Sequence, residues 1–371
     1  MRGATGRSTA PGPRLLLAVA LAAGVAVPLL TPGDVASAAA DVAWSAMLAP
    51  IPATSPVSSS VQAGGVQLEA ASCTGASFCV AAGSYEEEWI PSSPPGYYLN
   101  AGFGLLEVWS DDSWSAFTAP EPVTSPAGNE PGYTATTAYP YPAAAAIDSA
   151  SCVSPTSCLA VGWYEDSAED TWGLVERWDG STWSPLAVGA PADDPLGAVG
   201  TVTGVSLNAV SCASPTSCVA VGQFDDENGQ WALIDTLSGT TWTLSLAAEP
   251  ATDQAGTAPS YDAEPSGSVA ETASLDAVSC VSAGCVAVGS YDDTHGAAWG
   301  LLESLSSGSW TAAAAPEPLT DAAGKGPGYE SEPTDEESAS LDSVSCATAS
   351  SCSAVGQYQD TAGRTWGLLL T

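Results

Sequence analysis

Hydrophobic and polar positions alternate with a period of two over short runs, and the runs come in groups of four. The group at Ala273–Cys280 (ASLDAVSC), Cys285–Tyr291 (CVAVGSY), Trp299–Leu305 (WGLLESL) and Trp310–Ala315 (WTAAAA) is representative. Alternation of this kind places one face of a strand in a core and the other outward, and Gly, Asp, Ser and Pro fill the gaps as turn residues do. Outside the N-terminal segment no stretch sustains the 3.6-residue apolar period of a helix. The pattern predicts an all-β chain of short antiparallel strands.

The group recurs. A serine-cysteine phrase heads each of five copies, at Ser72-Cys73, Ser151-Cys152, Ser211-Cys212, Ser279-Cys280 and Ser345-Cys346, spaced roughly 60–80 residues apart. The third-strand phrase returns as Phe103-Gly104-Leu105-Leu106-Glu107, Trp172-Gly173-Leu174-Val175-Glu176, Trp231-Ala232-Leu233-Ile234-Asp235 and Trp366-Gly367-Leu368-Leu369-Leu370. Fourth strands start at Trp114, Trp183, Trp242 and Trp310. Four strands per repeat with large aromatics at fixed places predict a five-bladed β-propeller, its repeats at about 66–118, 145–188, 204–247, 272–314 and 339–371. The fifth copy stops after its third strand. Trp44-Ser45-Ala46-Met47-Leu48-Ala49-Pro50 matches Trp114-Ser115-Ala116-Phe117-Thr118-Ala119-Pro120, so residues 42–48 are expected to complete the last blade and close the ring.

The Ser-Cys…Cys-x-Ala-Val-Gly-x-Tyr unit resembles that of secreted bacterial β-propeller repeat proteins. The resemblance covers nearly all of residues 42–371; it implies the fold and carries no activity with it. A five-bladed ring is more remotely similar to tachylectin-like sugar binders and to the arabinanase and invertase class of glycosidases, on blade count alone.

The N-terminus changes the setting. Arg2, Arg7 and Arg14, an apolar run from Leu15 to Leu30 and the small residues Ala36-Ser37-Ala38 follow the order of a secretory signal peptide, so residues 1–40 are expected to be removed, leaving one domain over 41–371 with no membrane span. That leaves Arg177, Lys325 and Arg364 against 41 acids, a formal charge of −38. Such a chain repels nucleic acid and anionic membranes. All ten cysteines fall into five close pairs, which with secretion read as the disulfides Cys73–Cys79, Cys152–Cys158, Cys212–Cys218, Cys280–Cys285 and Cys346–Cys352.

Three sets of residues are candidates for chemistry, all expected on the face that carries the inter-blade loops. A polar residue at one position of each innermost strand, Glu69, Asp148, Asn208, Asp276 and Asp342, would ring a channel mouth; these oxygens suit Ca²⁺, or they accept loop amides. Acidic hairpins after the second strand, among them Asp225, Asp226, Asp292 and Asp293, would hold peripheral Ca²⁺ or form solvated turns. Aromatics on Pro-rich loops, namely Trp89, Tyr97, Tyr98, Tyr133, Tyr261 and Tyr329, would stack on a sugar or anchor a partner, or else cover the channel. The insertion Glu86 to Phe103 breaks the repeat symmetry and is the leading suspect.

No catalytic residue is assigned. His295 is the lone histidine, and neither a Gly-x-Ser-x-Gly elbow nor a phosphate-binding glycine loop is present. The sequence therefore predicts a secreted, monomeric binding module for an extracellular glycan or protein. A glycoside hydrolase using a carboxylate pair at the channel mouth and a non-enzymatic scaffold stay open.

Overall fold

Each repeat folds as an antiparallel meander whose turns are dictated by residue type. The computed structural model describes residues 46–53, 62–89, 99–132, 144–194, 197–198, 200–258, 271–282, 284–321, 324–327 and 338–371. The first unit comprises β1 (Gln62–Gly75), β2 (Phe78–Trp89), β3 (Leu99–Ser110) and β4 (Ser113–Thr118); the second β5 (Ala145–Ser154), β6 (Ser157–Glu165), β7 (Thr171–Trp178) and β8 (Trp183–Val188). A two-residue ladder, β9 (Asp193–Asp194) with β10 (Gly197–Ala198), precedes the third unit. That unit holds β11 (Gly204–Ser214), β12 (Ser217–Asp226), β13 (Gly229–Ser238) and β14 (Thr241–Leu246); the fourth holds β15 (Glu271–Val281), β16 (Gly284–Asp292), β17 (Ala298–Ser306) and β18 (Ser309–Ala314). The fifth has three strands, β19 (Ala339–Thr348), β20 (Ser351–Gln359) and β21 (Thr365–Leu370). No helix occurs among the described residues, and none of their segments is a helix long and apolar enough to cross a membrane.

The pairing departs from five separate blades. Gly229 and Gln230 pair in parallel with Glu271 and Thr272, which fuses the third and fourth units into one eight-stranded sheet. A single parallel bridge, Ala298 to Ser338, sits at the next junction. Consecutive innermost strands pack in series, β1 on β5, β5 on β11, β11 on β15 and β15 on β19. Among the described residues no fourth strand pairs with β21. Residues 42–45 of the segment expected there lie outside the described residues; Ala46, Met47 and Leu48 take no regular secondary structure, with Leu48 94% exposed.

All five expected disulfides form, each between directly opposed residues of the first two strands, with Cα atoms 4.0–4.1 Å apart. Each closes a loop of about seven residues, worth roughly 2 kcal/mol as a constraint on the unfolded chain. The serine before the first cysteine has a separate task. Ser72 Oγ accepts the amide of Cys152 (2.9 Å), Ser151 Oγ that of Cys212 (3.1 Å), Ser211 Oγ that of Cys280 (2.9 Å) and Ser279 Oγ that of Cys346 (3.0 Å). The phrase is thus two devices: the cysteine staples its own unit and the serine stitches it to the next.

The core lies between units. The second-strand aromatics Tyr85, Tyr164, Phe224, Tyr291 and Tyr358 are buried, and Trp231 and Trp299 are among the largest fully buried side chains. Two fourth-strand tryptophans pack at a tilt against third-strand ones, Trp114 on Trp109 at 5.6 Å and the buried Trp183 on Trp178 at 5.2 Å between centroids. Of the three-to-four turns, Asp111-Asp112 and Ser307-Gly308 have both central residues at positive φ, the hairpin geometry that follows strand twist.

Candidate functional site

The innermost strands carry a bulge at one register, and the bulged residue is the polar one picked out by the sequence. Pairing slips between Leu68 and Ala70, Ile147 and Ser149, Leu207 and Ala209, Leu275 and Ala277, and Leu341 and Ser343. The residues skipped are Glu69, Asp148, Asn208, Asp276 and Asp342. A glycine opposite makes this possible. A Cβ on Gly83, Gly162, Gly222, Gly289 or Gly356 would lie 1.9–2.0 Å from a carbonyl oxygen of the bulged strand. A bulge re-aims its extra side chain out of the ladder, so the Gly of Ala-Val-Gly and the inner acid are one structural device.

The structure couples these residues from unit to unit. Asn208 Nδ2 donates to the Leu275 carbonyl (3.0 Å) and reaches Asp276 Oδ1 (3.5 Å). Burial, with the nearby Glu69 carboxylate second, pushes Asp148 up to about 6. Burial also raises Asp276; a Ser274 hydrogen bond opposes this and Asp342 adds to it. Asp342 is held by Ser340 Oγ at 3.0 Å. Glu69 and Asp342 are exposed, whereas Asp148, Asn208 and Asp276 are half-buried. The tier is a row of oxygens open to solvent at its ends and drier in the middle.

The acidic hairpins do something different. Asp166, Asp226, Asp293 and Asp360 end or follow the second strand, and each grips its own turn and a tryptophan of the third strand. Asp166 accepts the amides of Ala168 and Asp170 and the indole N–H of Trp172 (2.8 Å). Asp226 accepts those of Asn228, Gly229 and Trp231, Asp293 those of His295, Ala297 and Trp299, and Asp360 those of Ala362, Arg364 and Trp366. Burial would raise these carboxyls, but N–H donors outweigh it and hold Asp166, Asp226 and Asp360 below the usual range. The oxygens of Asp226 and Asp293 are therefore taken by N–H donors rather than presented to a cation. Among the described residues no three His, Cys, Asp or Glu side chains form a group suited to a metal. The expectation of peripheral Ca²⁺ at Asp225, Asp226, Asp292 and Asp293 gains no ligand set from this arrangement. In the first unit Glu87 stands in the aspartate's place and Phe103 in the tryptophan's: acceptor and donor change together.

The hairpins meet the inter-unit loops. Ser167 donates its amide to the Glu130 carbonyl, Thr294 to Ala258 and Thr361 to Gly326. The disulfide hairpins lie with the three-to-four turns instead, as the Trp178 indole bond to Pro155 and the Gly239 amide bond to Thr216 show. The side chains of the aromatic candidates Trp89, Tyr97, Tyr98, Tyr133, Tyr261 and Tyr329 lie outside the described residues; only the backbone of Trp89 is placed, paired with Leu99.

Sequence reasoning passed over a set of buried acids. Glu107, Glu176, Asp235 and Glu303 occupy one register of the third strand and are 0–2% exposed. Neither oxygen of Glu176 has a hydrogen-bond partner, and burial followed by the Glu121 charge pushes it up to about 9. Burial raises Glu107 and Glu303 to about 7. Burial, then Glu165, raises Glu121 to about 8. An acid recurring inside strands buried on both faces was the available signal.

No protein-family model and no curated protein matches the chain. Among solved structures, similarity is found to the Hadza microbial sialidase Hz136 (TM-score 0.37, 14% identity, 82% of this chain and 58% of that one). It is also found to an α-L-arabinanase of Penicillium chrysogenum in complex with arabinobiose (0.35, 11%, 79% and 77%) and to a fucose-specific lectin from Aleuria aurantia (0.35, 13%, 82% and 78%). The chain spans just over half the sialidase's length. Likeness at this level carries no argument about chemistry. What the coordinates define is a class: an all-β repeat protein of disulfide-stapled antiparallel units, stitched serine to cysteine, with an acidic bulge tier along its innermost strands.

Proposed function

We propose that the chain is a secreted carbohydrate-binding module whose ligand lies against the acidic bulge tier on the inter-unit-loop face. The tier supports this reading: five polar side chains lifted out of their ladders at one register, four of them carboxylates and the fifth an amide. Carboxylates accept paired O–H donors, which vicinal sugar hydroxyls supply, and charge-assisted bonds of this kind are roughly twice as strong as neutral ones. A formal charge near −38 after removal of residues 1–40 disfavours sialylated or sulfated glycans, so the ligand is a neutral sugar. Tyr133, Tyr261, Tyr329 and the first-unit insertion with Trp89, Tyr97 and Tyr98 would supply stacking surfaces. Five disulfides suit an oxidising, extracellular setting. The units form a monomeric five-bladed propeller in this reading, with residues 42–48 as the missing strand of the last blade. The test is a neutral-glycan array with wild type, Asp148→Asn and Asp276→Asn: binding lost in the variants supports the reading, and equal binding in all three rejects it.

One observation favours a second reading, glycoside hydrolysis. Burial holds the Asp148 proton to about pH 6 beside Glu69, and a carboxyl that keeps its proton is what the acid of a cleaving pair needs. Release of reducing sugar abolished by Asp148→Asn would establish it.

A further inference from the structure

Each clamp aspartate is already occupied by its own turn and tryptophan, and at each junction between units something more must meet its outer oxygen. Between the first and second units, Asn129 Nδ2 donates to Asp166 Oδ2 at 3.0 Å and the Ser125 hydroxyl donates to the same carboxylate. Between the second and third, the Gly200 amide donates to Asp226 Oδ2 at 3.1 Å. Between the fourth and fifth, Arg364 Nη2 lies 2.7 Å from Asp360 Oδ2 and 3.4 Å from Asp321 Oδ2, bridging two acids with one cation.

The junction of the third and fourth units breaks this rule. Ser125, Asp253 and Asp321 are equivalent: each accepts at its carbonyl the amide of Gly128, Gly256 or Gly324, three residues on. Asp253 Oδ1 takes the Thr257 amide at 2.9 Å. Its Oδ2 is buried and receives no N–H or O–H, while the Thr294 amide bond to the Ala258 carbonyl (3.0 Å) seats the Asp293 turn against the Asp253 turn and brings the two side chains together. Asp293 brings no donor, since its two oxygens already accept two amides and an indole. The other titratable groups facing the pair are Glu249 and Tyr291, neither a cation, and His295, whose Nδ1 lies 4.0 Å from Asp293 Oδ2. Among the described residues no Lys or Arg forms a salt bridge here. Two carboxyls in hydrogen-bond contact stay together only when one carries a proton.

We propose that the contact between the third and fourth units is a proton latch, in which Asp253 donates an O–H to Asp293 under acidic conditions and the contact loosens as that proton leaves. Burial first, then Asp293, raises the Asp253 carboxyl, while the Thr257 amide opposes the rise. The tightness of this junction is therefore set by the pH the secreted protein meets.

Asp253→Ser installs the solution found at the first junction and tests the latch. Hydrogen exchange at the Asp253–Thr257 turn, corrected for intrinsic rate, is expected to fall in protection about tenfold in the wild type between pH 4.5 and 8, one pKa unit's worth, and to stay level in the variant. The melting temperature of the variant minus that of the wild type is expected to grow by about 2–4 °C over the same range. An unchanged pH slope overturns the proposal. Should Asp253→Ser fold poorly, infrared spectra at pH 5 serve instead: a protonated-carboxyl band lost in Asp253→Asn supports the latch, and identical spectra overturn it. Millimolar Ca²⁺ that restored wild-type protection at pH 8 would put a cation in the proton's place and overturn it as well.

Discussion

Glu176→Gln is the sharpest probe of how the units are held together. The side chain is fully buried on β7, both oxygens lack hydrogen-bond partners, and its carboxyl is pushed up to about 9 by burial and by Glu121. The ordinary value is 4.5. Below pH 4.5 the group is neutral in folded and unfolded chains and costs nothing. As pH rises towards 9 the unfolded chain releases the proton and the folded chain keeps it, so stability drains away at about 1.4 kcal/mol per pH unit. By pH 7 the loss is about 3 kcal/mol, an upper figure because relaxation around the site reduces it. Gln keeps the shape and does not titrate. Urea unfolding at pH 4, 5.5 and 7 with disulfides intact should show the variant gaining on the wild type steadily, by about 3 kcal/mol across the range. A difference that stays constant with pH would refute the reasoning, because the carboxyl would then be ionised or solvated in the folded protein.

Other substitutions test other parts of the structure. Trp231→Phe removes an indole donor from the buried Asp226 and should cost about 1.5–3 kcal/mol, read by urea unfolding at pH 6. Gly222→Ala sets a methyl 2.0 Å from the Ser206 carbonyl; loss of the bulge should cost about 3 kcal/mol or more, with Asn208 displaced, seen as a fall in melting temperature. Ser151→Ala leaves the Cys212 amide without its acceptor and should cost about 1–2 kcal/mol. Ser345→Ala should cost the same if the ring closes, because Ser345 would then cap the Cys73 amide, and close to nothing if the array is open.

The sequence carried the periodic part of this structure. Strand order, disulfide pairing and the inner polar register are legible because they recur, and recurrence separates them from local noise. The role of Ala-Val-Gly was half visible: the glycine repeats, but only coordinates show that it exists to admit a bulge. The sequence reads these hairpins as solvated or metal-binding turns because composition does not record direction. Asp226 and Asp293 point inward to a tryptophan five or six residues on, a spacing present in the sequence in four copies and absent where Phe103 replaces the tryptophan. Glu176 was passed over because an acid in a strand is presumed to face solvent, and a strand between two units has no solvent face. Fusion of the third and fourth units depends on the two-residue pairing of Gly229-Gln230 with Glu271-Thr272, which no local pattern announces.

Binding to a panel of immobilised neutral and anionic glycans at about pH 7.5, where the tier carboxyls are ionised, comparing the wild type with Asp148→Asn/Asp276→Asn, bears most directly on the assigned role. A neutral-glycan signal in the wild type that disappears in the double variant, with melting temperature held, is the predicted result. No glycan binding at all, or binding that survives in the double variant, would contradict a carbohydrate site on the bulge tier.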